Sequence, residues 1–422
     1  MTGPDERHGA MTITTSPVTH SVRERLHARI ERVVDAGLCS GCGACPLLDE
    51  TLGMRLGDDG FARPVTVGSS EHDLPSRALA DFEASCPGIA VHAGGDTTAT
   101  RHPTMGPVVA AWEAWAADPV VRHAGSSGGV LTALAAHLLE SGTAHRVVGA
   151  TAAEAEPRRS VSVALTTRDE AIASAGSRYA PVCGAAEAGA GAGAGATIGL
   201  PCRVAAMRRL ADRDAIDDQI LLSFFCAGTP SQHATDALAG RLGGPGTPAA
   251  LRYRGNGWPG RFTVTGPDGT EASLDYEESW GAHLGRAVHD RCKLCPDGVG
   301  ESADVSAADL WETDDRGYPA FVDAEGTSAL IARTPRGHTL VLAAIAAGAI
   351  VARPLRIDRL SVVQPLQVER RTLLAGRLLG ARLAGRAVPR YSGFSLVRLA
   401  APRWRAAIRA ARGTWRRMRR TS

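Results

Sequence analysis

Apolar positions along the chain change period from one segment to the next, and each period predicts an element. Val130, Leu131, Leu134, Leu138 and Leu139 recur at helical spacing behind a glycine- and serine-rich loop, Gly125 to Gly129, which predicts a helix starting at that loop. The short apolar runs RVVGATAA, VSVALTT, TIGLPC and LLSFFC predict strands, and helices at RVAAMRRLADRD and PSQHATDALAGRLGG follow the last two. Strand, helix, strand, helix predicts a parallel α/β unit with a cysteine at each strand's carboxyl end, where open α/β sheets keep their chemistry. LRYRGNGWPGRFTVTGPDGTEASLDY predicts antiparallel strands with turns at Gly255 to Gly257 and at Asp268-Gly269. Nearer the start, SVRERLHARIERVVDAG predicts a short helix, GMRLGDDGFARPV a hairpin turning at Asp58-Asp59-Gly60, and DLPSRALADFEASCPG a second helix. The run from Leu340 to Ala352 is too short to cross a bilayer and predicts a buried helix leading into a strand. Residues 1 to about 20 are expected to be disordered, and the Gly/Ala run from Gly184 to Ala196 to form a linker or a low-information helix.

Composition adds scale. With 422 residues, 44% hydrophobic and 22% charged, the chain is globular and has room for two or three domains. The N-terminus lacks the apolar core of a signal peptide, and Met11 is a candidate start. Cysteines without an export signal predict a cytoplasmic protein. Charge changes the picture at one end only: Arg371 to Ser422 holds fourteen arginines and no acid, so the formal net charge of +3 hides an acidic body and a basic tail. In that tail Trp404, Ile408, Ala411, Trp415 and Met418 fall on one face of a helix that Pro402 helps to start, with arginines around the remainder. The pattern predicts peripheral attachment to an anionic membrane surface or to an acidic protein partner, with nucleic acid the weaker rival.

The candidate chemistry lies in nine cysteines. Cys39, Cys42 and Cys45 form C-x2-C-x2-C, and Cys86-Pro87 follows forty residues on. Three closely spaced thiolates and a remote fourth are how one chain wraps a [4Fe-4S] cluster. Structural zinc sites present their cysteines as two separated pairs, and disulfide scaffolds belong to short secreted chains. Cys202, Cys226, Cys292 and Cys295 supply four more thiols and leave Cys183 over. They suit a second cluster, zinc at the C-x2-C half, or, for Cys202 and Cys226, ordinary core positions.

Seven segments in order, CSGCGACP, AGSSGGVLTALAAHLLESG, GSRYAPV, IGLPCRVAAMRRL, SFFCAGTPS, RYRGNGWPGR and RCKLCPDGVGESADVS, resemble the coenzyme F420 hydrogenase/dehydrogenase beta-subunit family over roughly residues 36 to 345. The resemblance implies a mixed α/β (α+β) chain: an N-terminal ferredoxin-like [4Fe-4S] module, then a family-type FAD-binding α/β domain. Five regions are expected: 1–35 a flexible start and short helix, 36–95 the iron–sulfur module, 105–185 the flavin-binding region, 195–345 the region with the second cysteine set, and 346–422 an extension ending in the basic helix. Where members commonly carry Gly-Asp-x-Trp, this chain has Ala308-Asp309-Leu310-Trp311, which puts the local backbone in question.

The resemblance also implies FAD and at least one cluster, and members with two clusters use thiolates like the second set. FAD carries a pyrophosphate, and Gly125, Ser126, Ser127, Gly128 and Gly129 at a helix N-terminus offer backbone amides to it. Gly176, Ser177, Arg178 and Tyr179 form a second polar clamp, with Arg178 expected beside phosphate or the flavin edge. Arg252, Arg254, Gly255, Trp258 and Arg261 offer stacking and anion binding at a glycine-rich turn. No acid–base pair is assigned; His123, His283 and His289 are candidates only. The expected activity exchanges electrons between a ferredoxin-like carrier and coenzyme F420 or another small organic two-electron substrate. The alternatives are a non-catalytic electron-transfer subunit and a zinc-stabilised protein of surface-polysaccharide assembly.

Overall fold

In the computed structural model, residues 20–94, 99–183, 195–213, 219–243, 246–311 and 323–420 are described. The Gly/Ala run falls almost wholly outside them, as does the N-terminal segment before His20. Among the described residues nine strands build one sheet. In chain order they are β1 (Ala110–Ala116), β2 (Val147–Ala152), β3 (Ser160–Leu165), β4 (Val182–Cys183), β5 (Ala196–Gly199), β6 (Ile220–Phe224), β7 (Val305–Asp309), β8 (Ser328–Ala332) and β9 (Ile350–Pro354). Their order across the sheet is β9-β1-β8-β7-β6-β5-β2-β3-β4.

The expected parallel unit is the centre, β2-β5-β6-β7, with Leu222 opposite Val305 and Ile198 opposite Leu222. Beyond it β8, β1 and β9 pair antiparallel, and so do β2 and β3. Connection length accounts for β2 and β3, whose short link reverses the chain, whereas parallel neighbours need a crossover; β1 pairs with β8 and β9 from far away in the chain. Strand β1 carries no strand prediction, although its AWEAWA alternation buries Trp112, Ala114 and Ala116 in turn.

Period two sends alternate residues to opposite faces, and the two faces are covered differently. Leu222, Ala307 and Leu330 face a core formed with the helices Val130–Glu140 and Pro335–Ala346, through Ala133, Leu134, Leu138, Val341 and Ala344. Each large apolar side chain buried there contributes roughly 1.5–3 kcal/mol. Leu221, on the other face, meets Val204 and Met207 of the helix Pro201–Ala211, together with Leu47. Ala308, Ala329 and Ile331 on that face are covered by Leu360 and Val363. The cysteine segments and the C-terminal residues therefore share one side of the sheet.

Smaller units complete the chain. The helix Val22–Asp35 starts with a capping box between Ser21 and Glu24 and buries Leu26, Ile30 and Val33. Those side chains pack on Leu52 and Phe82, from the predicted hairpin (Leu52–Leu56 with Ala62–Thr66) and the predicted helix Ala78–Ser85. The strands Ala250–Arg252, Phe262–Thr265 and Glu271–Leu274 form an antiparallel sheet whose core holds Tyr253, Phe262 and Leu238.

Candidate functional site

The first cysteine set is organised locally. Cys39 and Cys42 lie in the loop after the helix Val22–Asp35, Cys45 opens the single turn Cys45–Leu47, and Cys86 ends the helix Ala78–Ser85 in extended backbone. Gly41 and Gly43 take φ of +65° and +74°, where a side chain is strained, and a Cβ on Gly41 would stand 2.8 Å from the Ala62 carbonyl oxygen. Cys39, Cys45 and Cys86 all pack against the small core of Leu26, Ile30, Val33 and Phe82.

The second set is assembled from a distance. Cys202 lies in the first turn of the helix Pro201–Ala211, Cys226 just past β6, Cys292 in the helix Asp290–Lys293 and Cys295 beyond it. All four line one cavity of about 690 Å³, part of it open to solvent; Ser40, Ser85 and Pro87, which flank cysteines of the first set, line it too. Burial pushes the Cys202 thiol well up, and the next cause is Cys42 of the first set, ahead of Cys226, Cys292 and Cys295. Burial likewise pushes Cys86 and Cys226 up to about 12, with Cys42 and Cys292 the next causes. Buried thiols crowded together resist ionising until a cationic centre neutralises them. Among the described residues no three His, Cys, Asp or Glu side chains close round one point as the ligands of a single ion would.

Residues beyond 357 brace the segments that form these walls, and Arg370 lines the cavity itself. Arg370 and Gln367 donate to the Cys226 carbonyl (2.9 and 3.2 Å), and Arg371 donates to the Pro296 carbonyl (3.0 Å). The Tyr391 hydroxyl donates to the Leu294 carbonyl, and the strand Arg390–Ser392 pairs with Ala90–His92, just past Cys86. Arg371, 1% exposed, is paired with Glu301. Arg291 donates to the Pro87 carbonyl (2.6 Å), and Arg63 donates both to the Cys39 carbonyl (3.1 Å) and to His289 Nε2 (2.8 Å). Both arginines thus tie the two cysteine sets together. Nothing in the local sequence pattern marks Gln367, Arg370 or Arg371, because their partners are carbonyls distant along the chain.

The glycine loops named for the flavin also converge. A Cβ on Gly255 would stand 2.5 Å from the Ala124 carbonyl oxygen and 2.9 Å from Arg252 Nη1; one on Gly176 would stand 3.2 Å from the same Nη1. Arg252 Nη1 and Ser126 Oγ are buried without a hydrogen-bond partner. Ser127 instead donates to the Thr327 carbonyl (2.9 Å), and the Gly128 amide donates to Ser328 Oγ (3.0 Å). Gly129 precedes the helix Val130–Glu140 at φ +69°. Ser177 lies in the loop between Gly176 and Tyr179.

Arg178 does not reach toward that convergence. Its guanidinium donates to Ser160 Oγ and to the carbonyls of Leu251, Pro157 and Arg159, so in this structure it holds the frame. Arg254 is the buried cation instead, 1% exposed, donating to Asp309 (2.8 Å) and the Tyr179 hydroxyl (3.2 Å). It lies over Trp258, Tyr276 and Trp311, at 5.1, 4.6 and 5.4 Å from the ring centroids. Asp309 and Trp311 belong to the stretch that lacks the family's glycine. Ala308 sits in regular register opposite Ala329, so the backbone there is an ordinary strand. Tyr276 carries no signal in the sequence. Arg261 is bonded to Ser273 on the outer hairpin, and His283 to Arg241. Burial, with Arg63 beside it, holds His289 down to about 4, so at neutral pH it is uncharged. His123 is exposed, and its carbonyl accepts from the Gly257 amide.

Comparison with known families decides the affiliation. Residues 111–188 match the coenzyme F420 hydrogenase/dehydrogenase beta subunit N-terminal model, and residues 194–357 match the C-terminal one. The chain belongs to the coenzyme F420 hydrogenase/dehydrogenase beta-subunit family. The family is one of oxidoreductases. The glycine loops and the second cysteine set lie within the family's matched segments, whereas the first cysteine set precedes them and Gln367, Arg370, Arg371 and Tyr391 follow them. Among solved structures, a chain of the F420-reducing [NiFe] hydrogenase complex from Methanosarcina barkeri is 19% identical, covering 65% of this chain and 95% of that one, with a TM-score of 0.46. No curated protein matches the chain.

Proposed function

We propose that the chain is an FAD- and iron–sulfur-dependent oxidoreductase with one [4Fe-4S] cluster on Cys39, Cys42, Cys45 and Cys86 and a second on Cys202, Cys226, Cys292 and Cys295. It exchanges electrons between a ferredoxin-like carrier and coenzyme F420 or another organic two-electron substrate. The observation that carries the reading is the meeting of four thiols from three separate segments around one cavity, against residues that flank the first quartet. FAD when bound would supply two-electron chemistry, and the clusters one-electron carriage.

The chain's own residues supply the setting. Arg252 Nη1 and Ser126 Oγ, both buried without a partner, are free donors for a pyrophosphate. Arg254, oriented by Asp309 and Tyr179, is a fixed positive charge among aromatic rings, suited to hold a planar anionic group. Arg291 and Arg370 set buried positive charge on the cavity wall, which offsets thiolate charge.

Anaerobic purification followed by counting iron, sulfide and flavin tests the assignment. The expected result is about eight irons per chain and bound flavin. About four irons would remove the second cluster, and a colourless zinc protein would overturn the redox reading. Turnover of reduced F420 by the isolated chain separates an enzyme from a relay subunit.

A further inference from the structure

The C-terminal basic helix does not stand alone. The helices Leu374–Leu383 and Trp404–Arg420 run side by side in the same direction, backbone against backbone. A Cβ on Gly376 would stand 2.2 Å from the Ala407 carbonyl oxygen, and one on Gly380 would stand 2.2 Å from that of Ala411. With 3.6 residues per turn, this register sets Leu379 and Leu383 of one helix on the same side of the pair as Trp404, Ile408 and Trp415 of the other. Four of these stand in solvent: Leu379 is 53% exposed, Leu383 66%, Trp404 56% and Ile408 43%. Of the remainder of the face that the sequence predicts, Ala411 is buried and Met418 packs in the cluster of Leu374 and Leu378, beside the buried Thr414. Arg405, Arg409, Arg412, Arg416 and Arg419 continue round the exposed surface, and no acid occurs after Glu369.

We propose that these two helices form a platform that binds the surface of an anionic bilayer. An apolar strip rimmed by uncompensated arginines asks for apolar depth and negative charge together, which acidic lipids supply. A second copy of this face would set arginine against arginine. No helix among the described residues is long and apolar enough to cross a membrane, so the contact is with the surface. The inner side of the first helix, through Leu374, Leu378 and Ala381, packs on Leu294, which lies between Cys292 and Cys295. Docking therefore brings the cysteine cavity within about one helix diameter, ~10 Å, of the lipid headgroups.

Flotation of the full chain with vesicles of phosphatidylcholine, with and without phosphatidylglycerol, tests this. Binding is expected only when phosphatidylglycerol is present and is expected to weaken with salt. The variants Leu379→Ser/Leu383→Ser and Trp404→Ser/Ile408→Ser should each lower partitioning about tenfold or more, with unchanged circular dichroism and iron content. Absence of binding would overturn the proposal, as would a leucine variant that binds like the native chain, or capture by polyglutamate but not by vesicles. The readout needs no turnover, so it stands or falls apart from the redox assignment.

Discussion

The two cysteine sets are built in opposite ways. Three members of the first fall within one short loop, shaped by Gly41 and Gly43 and resting on a core that the N-terminal residues provide by themselves. The second takes one thiol from a helix start, one from beyond a central strand, one from a short helix and one just past it, and residues outside the family's matched segments hold the Cys226 carbonyl. A site made locally depends on a few neighbours, whereas one made by convergence depends on everything that fixes its elements. Under the proposed function, damage should therefore separate the two sets.

Replacement of Cys202 should have the largest effect. Cys202→Ser is expected to remove about four irons per chain while the first set keeps its own, read by iron and sulfide analysis. Loss of all iron would show that the sets are not separable. Next is Arg371→Met, far from any cysteine in sequence. It leaves the buried Glu301 carboxylate with the half-exposed Arg101 as its cation and should cost roughly 3–5 kcal/mol in chemical denaturation. Iron loss should be confined to the second set; an unchanged unfolding midpoint would break the claim that the extension holds that site.

A smaller effect is expected at Asp49, which staples the first region. Its buried carboxylate meets Arg23 (3.1 Å) and His27 (2.7 Å). Burial, the largest cause, raises its pKa, but hydrogen bonds from Thr51 and His27 outweigh it and leave the group below its ordinary 3.8. A depressed folded pKa contributes stability above 3.8 that is lost as pH falls through the folded value. Asp49→Asn should thus cost roughly 1.5–3 kcal/mol at neutral pH, and the gap to the native chain should close on acidification in pH-dependent urea unfolding. The smallest effect belongs to Cys183, on the edge strand β4 and outside both sets. Cys183→Ser should leave the iron count unchanged and stability within about 0.5 kcal/mol.

Legibility followed the same division. The triplet, its hairpin and its helices could be read because their determinants lie within a few residues of one another. The strands β5 and β6 and their helices were legible from apolar runs, and so was the placing of Cys202 and Cys226 near strand ends. The antiparallel flanks of the sheet were not, because pairing direction depends on which strands meet. At the flavin loops the residue types were legible but not their duties: Arg178 and Arg254 look alike in sequence, yet one is bonded to backbone carbonyls and the other lies among Trp258, Tyr276 and Trp311.

By itself, then, the amino-acid sequence determined the nine thiols, the local loop that gathers three of them, the glycine turns and the uncompensated arginines of the tail. Only the tertiary structure decided that four scattered cysteines share a cavity, that the tail's first helix braces it, and that Leu379 and Leu383 join Trp404 and Ile408 on one surface. The physical reason is range: backbone conformation and helical period act over a few residues, whereas burial and carbonyl capture depend on elements far apart in the chain.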